Sequence, residues 1–113
     1  MAGKEILLLG AFCEGEPAGY KVGYAISPTE FYSWLGGVLP VYRRQGVATR
    51  LRLEQEQWAT ESGYTSILVK SSNRFPAMLQ LLLASGYQIV GYEDRDDPLS
   101  SKISFRKQLT SIG

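Results

Sequence analysis

The chain alternates between two hydrophobic periods. From Glu5 to Cys13 apolar residues run almost unbroken around "ILLL", which predicts a strand. Glycine and proline punctuate Glu14 to Gly19 ("EGEPAG"), predicting a loop. Tyr20, Val22, Tyr24 and Ile26 then alternate with Lys21, Gly23 and Ala25, the period of a half-buried strand. "SPTE" turns the chain, and Phe31 to Leu39 reads as a third strand that Pro40 ends. Three strands joined this closely predict an antiparallel meander.

The period then lengthens. Val47 to Glu61 favours helix, with Arg50/Glu54 and Arg52/Glu56 as i,i+4 pairs of opposite sign. Val47, Leu51 and Trp58 fall roughly on one face, and Gly63 is a stop. Thr65 to Ser71 has the continuous apolar centre of a strand covered on both faces. The strands flanking this helix are therefore expected to be parallel. Asn73 precedes a second helix, with Pro76 near its first turn, "AMLQLLLAS" as its body and Gly86 after its end. It is apolar nearly all round, so burial on several sides or cover from a partner chain is expected, with core packing as the simpler reading. Tyr87 to Glu93 and Ile103 to Leu109 are the last strands, separated by the polar loop "DRDDPLSS", with Ile103 and Phe105 on one face. The expected fold is α+β: a central mixed sheet with two crossover helices, in the order β-β-β-α-β-α-β-β.

Composition narrows the chemistry. The 113 residues, 44% apolar, suit a single domain over 1–113 with a core of its own. Twelve basic and 11 acidic residues leave a formal charge of +1, so no global pull towards nucleic acid or anionic membranes is expected. No apolar run approaches a membrane span, and Glu5 and the missing small-residue cleavage site argue against a signal peptide. The lone Cys13 cannot form an intramolecular disulfide, which suits a reducing cytoplasm, the expected location. Cys13 reads as a small apolar residue rather than a nucleophile. Histidine is absent, which removes the commonest general base and most zinc sites, so no metal is expected. Catalysis is left to backbone groups, tyrosines, carboxylates or a bound cofactor.

One stretch offers such a group. "VYRRQGVATR", Val41 to Arg50, joins a strand to a helix. The first N–H groups of a helix lack internal partners, and the dipole is positive there. Gly46 admits a ligand close to the backbone, and Arg43 and Arg44 add charge, so the stretch is a competent pyrophosphate cradle. It is neither "GxxxxGK[ST]" nor "GxGxxG". Arg43-Arg44-Gln45-Gly46-Val47-Ala48 resembles motif A of the GNAT family, the Gcn5-related N-acetyltransferases, whose pattern is [R/Q]-x-x-G-x-[G/A]. The lead-in Val38 to Tyr42, Asn73, the pair Gly86-Tyr87 and the closing "ISFRKQL" are similar to the family's as well, so the resemblance runs from Glu5 to Leu109.

The resemblance implies a GNAT-like acyl-CoA N-acyltransferase fold and acetyl-CoA as cosubstrate. Arg43, Arg44, Gln45, Gly46, Val47, Ala48 and Thr49 would hold the pyrophosphate. Gly37 and Val38 would bond the pantetheine arm and thioester carbonyl, with the Val38 N–H stabilising the oxyanion, and Asn73 would touch the pantetheine or the cofactor side of the second crossover. Taken alone, Gly36-Gly37 is as readily an edge kink; the resemblance favours ligand approach.

Two departures stand out. The family usually carries a strand and two helices before the strand that opens here, so the acceptor site is expected to be open, or completed by a second copy or a partner protein. Many relatives also place a tyrosine four residues before the Gly-aromatic pair, where this chain has Leu82. A thiol of pKa about 8.5 leaves without that acid. Deprotonating a lysine-type amine near neutrality costs about 4–5 kcal/mol, and Glu30, Tyr32 and Glu93 are candidate bases by position, with ordinary surface or sheet roles as the competing reading. The implied activity is transfer of an acetyl group to a primary amine. A non-catalytic acyl-CoA-binding module is the alternative, and a polyphosphate or RNA binder using Arg43, Arg44, Arg50 and Arg52 is a third that the near-zero charge disfavours.

Overall fold

The computed structural model describes residues 5–42 and 46–109. Strands β1 (Ile6–Cys13), β2 (Glu16–Ala25) and β3 (Glu30–Val38) form the meander. Helix α1 (Val47–Glu61) crosses to β4 (Ser66–Ser72), α2 (Pro76–Ala84) leads to β5 (Gln88–Glu93), and β6 (Lys102–Gln108) follows. The sheet order is β1-β2-β3-β4-β6-β5; β3 and β4 run parallel and the other neighbours antiparallel. This is the mixed α+β sheet with two crossover helices that the periods predict. Both crossovers advance the same way across the sheet, so right-handedness places both helices on one face. Their inner residues, Ala59 on α1 and Leu82 on α2, meet Phe31, Ile67, Ile103 and Phe105 in one core.

Three details differ from expectation. The loop expected at Glu14 to Gly19 contracts to a turn at Glu14 and Gly15, whose φ values of 52° and 84° match a two-residue hairpin. Pro17 enters β2 next to a bulge at Ala11/Phe12, an irregular position of the kind to which prolines in sheets are confined. The second difference is on β2, where the apolar set faces away from the helices. Tyr24 pairs across to Ile6 and Tyr32 on the helix-free face, and Gly23 and Ala25 lie inward. That outer face leaves Ile6, Leu8 and Phe12 67%, 70% and 68% exposed, and an edge-to-face cluster of Tyr24, Tyr32 and Trp34 lies on it. Third, α2 buries Leu82 but leaves Met78 and Leu83 exposed, so its all-round apolarity does not mean burial on several sides within this chain. A leucine-rich helix does not show which of its faces the sheet will take.

Gly23 is where the inner layer is tightest. A Cβ there would collide with the Phe31 ring and stand 2.7 Å from the Tyr32 carbonyl oxygen. Gly23→Ala is therefore expected to lower unfolding free energy by about 1–3 kcal/mol, read from the urea midpoint; an unchanged midpoint would show that Phe31 does not pack over this strand.

Candidate active site

The sheet opens at one place. β3 pairs with β4 only from Glu30↔Ser66 to Ser33↔Val69. Beyond Ser33, β3 runs on to Val38 along β2, while β4 stays on β6 as far as Ser72↔Lys102. Between β2 and β3 the register steps from Gly23↔Ser33 to Val22↔Leu35, leaving Trp34 as an extra residue on β3. A bulge bends its strand and increases local twist, and this one falls where β3 leaves β4. The result is a cleft of about 500 Å³ between the two strand ends, bordered by Gly36, Gly37 and Val38 on one side and Val69 to Ser72 on the other. It lies at the carboxyl ends of two parallel strands, where open α/β sheets hold ligands.

Backbone donors face this opening. Leu39 N–H donates to the Ala18 carbonyl at 2.8 Å. Successive N–H groups of an extended strand point to opposite edges, so the Val38 N–H is turned towards the open side. A side chain at Gly37 would meet the Tyr20 ring at 3.0 Å, which keeps this border bare. The N-terminus of α1 stands beside the same opening, with Ala48 on its rim. Gly46 caps the helix at φ 78°, a left-handed conformation that favours glycine, and among the described residues no side-chain hydrogen bond caps its first N–H groups. Arg43, Arg44 and Gln45 lie outside the described residues.

Under the cleft lies a charged cluster that helical periodicity did not reveal. Glu56, on α1, accepts hydrogen bonds from Arg52 Nη1, Tyr87 Oη and Lys107 Nζ, each at 2.9 Å. Burial pushes the Glu56 carboxyl up, but the bonds from Lys107, Arg52 and Tyr87 outweigh it and hold the carboxyl below its ordinary value. Burial and the Glu56 charge raise the Tyr87 hydroxyl. Lys21, on β2, reaches the same region and lines the cleft. Desolvation, then the Arg52 charge, lowers its pKa, against a smaller opposing pull from Glu56. The i,i+4 spacing of Arg52 and Glu56 was visible in sequence; that the pair is buried and extended by Lys107 and Tyr87 was not.

The expected site residues separate into groups. Gly37, Val38 and Ala48 line the cleft, and Gly46, Val47 and Thr49 lie at the start of the adjoining helix. Asn73 is outside the lining: its Nδ2 donates to the Pro98 carbonyl at 3.3 Å. Glu30 begins β3, at the far end from the opening, held by Arg106 Nε at 2.6 Å and Ser66 Oγ at 3.0 Å. Tyr32 stacks edge-on to Tyr24 on the helix-free face, and burial, then Tyr24, raises its pKa, which opposes a role as base. Glu93 pairs with Arg95 in an exposed contact of 3.1 Å. Leu82 borders the cleft where the related tyrosine would stand, and Cys13 is a partly buried free thiol packed near Ala18, Val47 and Leu51.

With the cleft and helix end in place, comparison with known proteins identifies the class. The model of the acetyltransferase (GNAT) family matches residues 2–82, and the chain belongs to that family. No curated protein sequence matches. Among solved structures, an acetyltransferase from Bacillus cereus ATCC 14579 is 26% identical, with a TM-score of 0.78 over 95% of this chain and 75% of that one. The ribosomal-protein-S18-alanine N-acetyltransferase from Escherichia coli reaches a TM-score of 0.84 at 16% identity, covering 96% of this chain and 72% of that one. A GNAT family acetyltransferase from Elizabethkingia anophelis, with acetyl-CoA bound, gives 0.83 at 16% identity, covering 90% and 75%. The fold is the GNAT acyl-CoA N-acyltransferase fold, and this chain spans about three quarters of the length of these structures or slightly less.

The Glu56 cluster sets a pH dependence. Its folded pKa lies below the ordinary 4.5, so its stabilisation is complete above about pH 4.5 and lost as pH falls through the lower folded value. Glu56→Gln is expected to cost about 3–5 kcal/mol at neutral pH by stranding buried cations, and to flatten the acid limb. Denaturant titrations from pH 7 to pH 3 on both proteins check this; parallel profiles would show that Glu56 does not govern the limb.

Proposed function

We propose that this chain is an N-acetyltransferase that moves an acetyl group from acetyl-CoA to a primary amine. The observation that carries this reading is the opening between β3 and β4, with the start of α1 at Gly46 beside it. The pyrophosphate of coenzyme A would rest on the N–H groups from Gly46 to Thr49, together with Arg43, Arg44 and Gln45, where the helix dipole favours an anion. The pantetheine arm would enter the opening and bond the free edge of β3 at Gly37 and Val38. The bound acetyl-CoA of the Elizabethkingia anophelis relative, which shares the fold, supports acetyl-CoA as the cosubstrate.

In the reaction the amine nitrogen attacks the thioester carbonyl carbon. The C–N bond forms, the C–S bond breaks, the nitrogen gives up one proton to solvent, and the sulfur leaves as a thiolate, whose low basicity makes a strong acid dispensable and which takes a proton from solvent afterwards. The Val38 N–H would stabilise the negative charge that builds on the carbonyl oxygen. No step here is assigned to Glu30, Tyr32 or Asn73, whose side chains contact Arg106 and Ser66, Tyr24, and the Pro98 carbonyl respectively. The amine is activated by solvent or by its own low pKa, which favours an α-amino group over a lysine side chain by about two to three pKa units. A non-catalytic acyl-CoA-binding module is the second reading; Leu82, and a cleft lining without a carboxylate, favour it.

Calorimetric titration with acetyl-CoA, repeated on Gly46→Glu, tests the cofactor site. The native chain is expected to bind, and the variant to lose at least about tenfold in affinity, because a carboxylate at the helix N-terminus repels phosphate. Gly46→Ala controls for strain at positive φ and should lose less. Thiol release with a panel of amines then separates enzyme from module. Failure of the native chain to bind would remove both readings.

A further inference from the structure

The cleft has an unusual charge balance. Among the described residues Lys21, Arg52, Lys70 and Lys102 line it, and no aspartate or glutamate does. Lys21 lies against the β3 border. Its Nζ lies 3.6 Å from where a Cβ on Gly36 would stand, so its alkyl chain crosses the bare glycine beside the Gly37–Val38 edge. Among the described residues this ammonium has no hydrogen bond and no ion pair, and Arg52 Nε is buried without an acceptor. The neighbouring carboxylate, Glu56, is already occupied by Arg52, Tyr87 and Lys107. Three cations thus share one carboxylate in a region partly shut off from water, and burial, then the Arg52 charge, lowers the Lys21 pKa. Desolvated charge is costly unless a counter-ion meets it.

The coenzyme's own pyrophosphate, if it lies at Gly46, is centred on the start of α1 and not on Lys21 and Arg52. Arg52 is six residues along α1, about 9 Å down the helix at 1.5 Å per residue. Lys21 instead flanks the strand edge where the thioester and the incoming amine would meet. We propose that Lys21, backed by Arg52, forms a carboxylate-receiving subsite in this cleft, and that the substrate it selects carries an anionic group beside the reacting centre. The inference rests on the acyl-CoA reading of the cleft. The carboxylate has two sources with the same chemistry: the far end of a dicarboxylyl group on coenzyme A, or the carboxylate of an amino-acid acceptor. An Nζ–carboxylate hydrogen bond of the charge-assisted kind discriminates by about tenfold or more.

The experiment measures affinity ratios on the full chain and on Lys21→Met and Lys21→Arg. One arm titrates succinyl-CoA and acetyl-CoA. The other saturates the protein with coenzyme A and titrates phenylalanine and phenethylamine, which differ by the carboxylate. In one arm the native chain is expected to favour the carboxylate-bearing ligand by at least about tenfold. Lys21→Met should bring that ratio to near one, and Lys21→Arg should restore most of it. Lys21→Met removes a poorly paired charge, so its thermal midpoint is expected to match or exceed that of the native chain, which separates a lost subsite from a lost fold. Ratios near one in both arms for a native chain that binds acetyl-CoA overturn the subsite and leave the acyl-CoA reading intact. A ratio that survives Lys21→Met, including an equal loss for both ligands of a pair, overturns it too. No binding of any coenzyme A species overturns both readings together.

Discussion

The parting of β3 from β4 is the constraint on which the rest of this structure depends. Two parallel strands need a crossover, and α1 supplies it, so the helix begins where β3 ends. The opening and the positive end of the helix dipole therefore share one edge of the sheet by topology. Four paired positions hold the strands together, then the extra residue at Trp34 bends β3 away while β6 keeps β4 in place. Without the bulge the ladder could continue and the strand edge that carries the Val38 N–H would be consumed by backbone pairing.

The space below the opening is filled unevenly. Towards the Phe31 end the core is apolar, with aromatic rings and branched side chains from both helices and the sheet. Beneath the cleft it is charged, centred on Glu56. Removing one member of such a cluster is costly because the others are left desolvated. The cluster ties α1 to β6 and to the residue that begins the last hairpin, so it braces the cleft floor as well as giving it positive charge. The opposite face of the sheet is different: three apolar side chains of β1 stand largely in water, and aromatic contacts organise only its middle.

Much of the architecture was legible because local rules decide it. The bounds of α1 follow from the run of helix formers between Gly46 and Gly63, and β6 follows from Ile103 and Phe105 on one face. The cofactor-loop hypothesis was legible in "RRQGVA", since glycine before a helix and arginines beside it have direct electrostatic meaning. The hairpin loop was read too long because glycine and proline signal a turn without stating its length. Glu30 and Tyr32 share β3 with Gly37 and Val38, yet a strand carries its residues about 3.3 Å apart. Glu30 therefore lies at the other end of β3, engaged by Arg106 from 76 positions away.

The sequence by itself determined the order and type of the elements, the crossover and the glycine at the helix start, because hydrophobic period, turn chemistry and chain handedness act over short separations. Only the tertiary structure decided which face of β2 meets the helices, where β3 leaves β4, and that Glu56, Tyr87 and Lys107 converge beside Lys21. Period two is the same whichever face is covered, and an ion pair on a helix reads the same exposed or buried. Those choices are made by packing between residues distant in the chain, which no local pattern records.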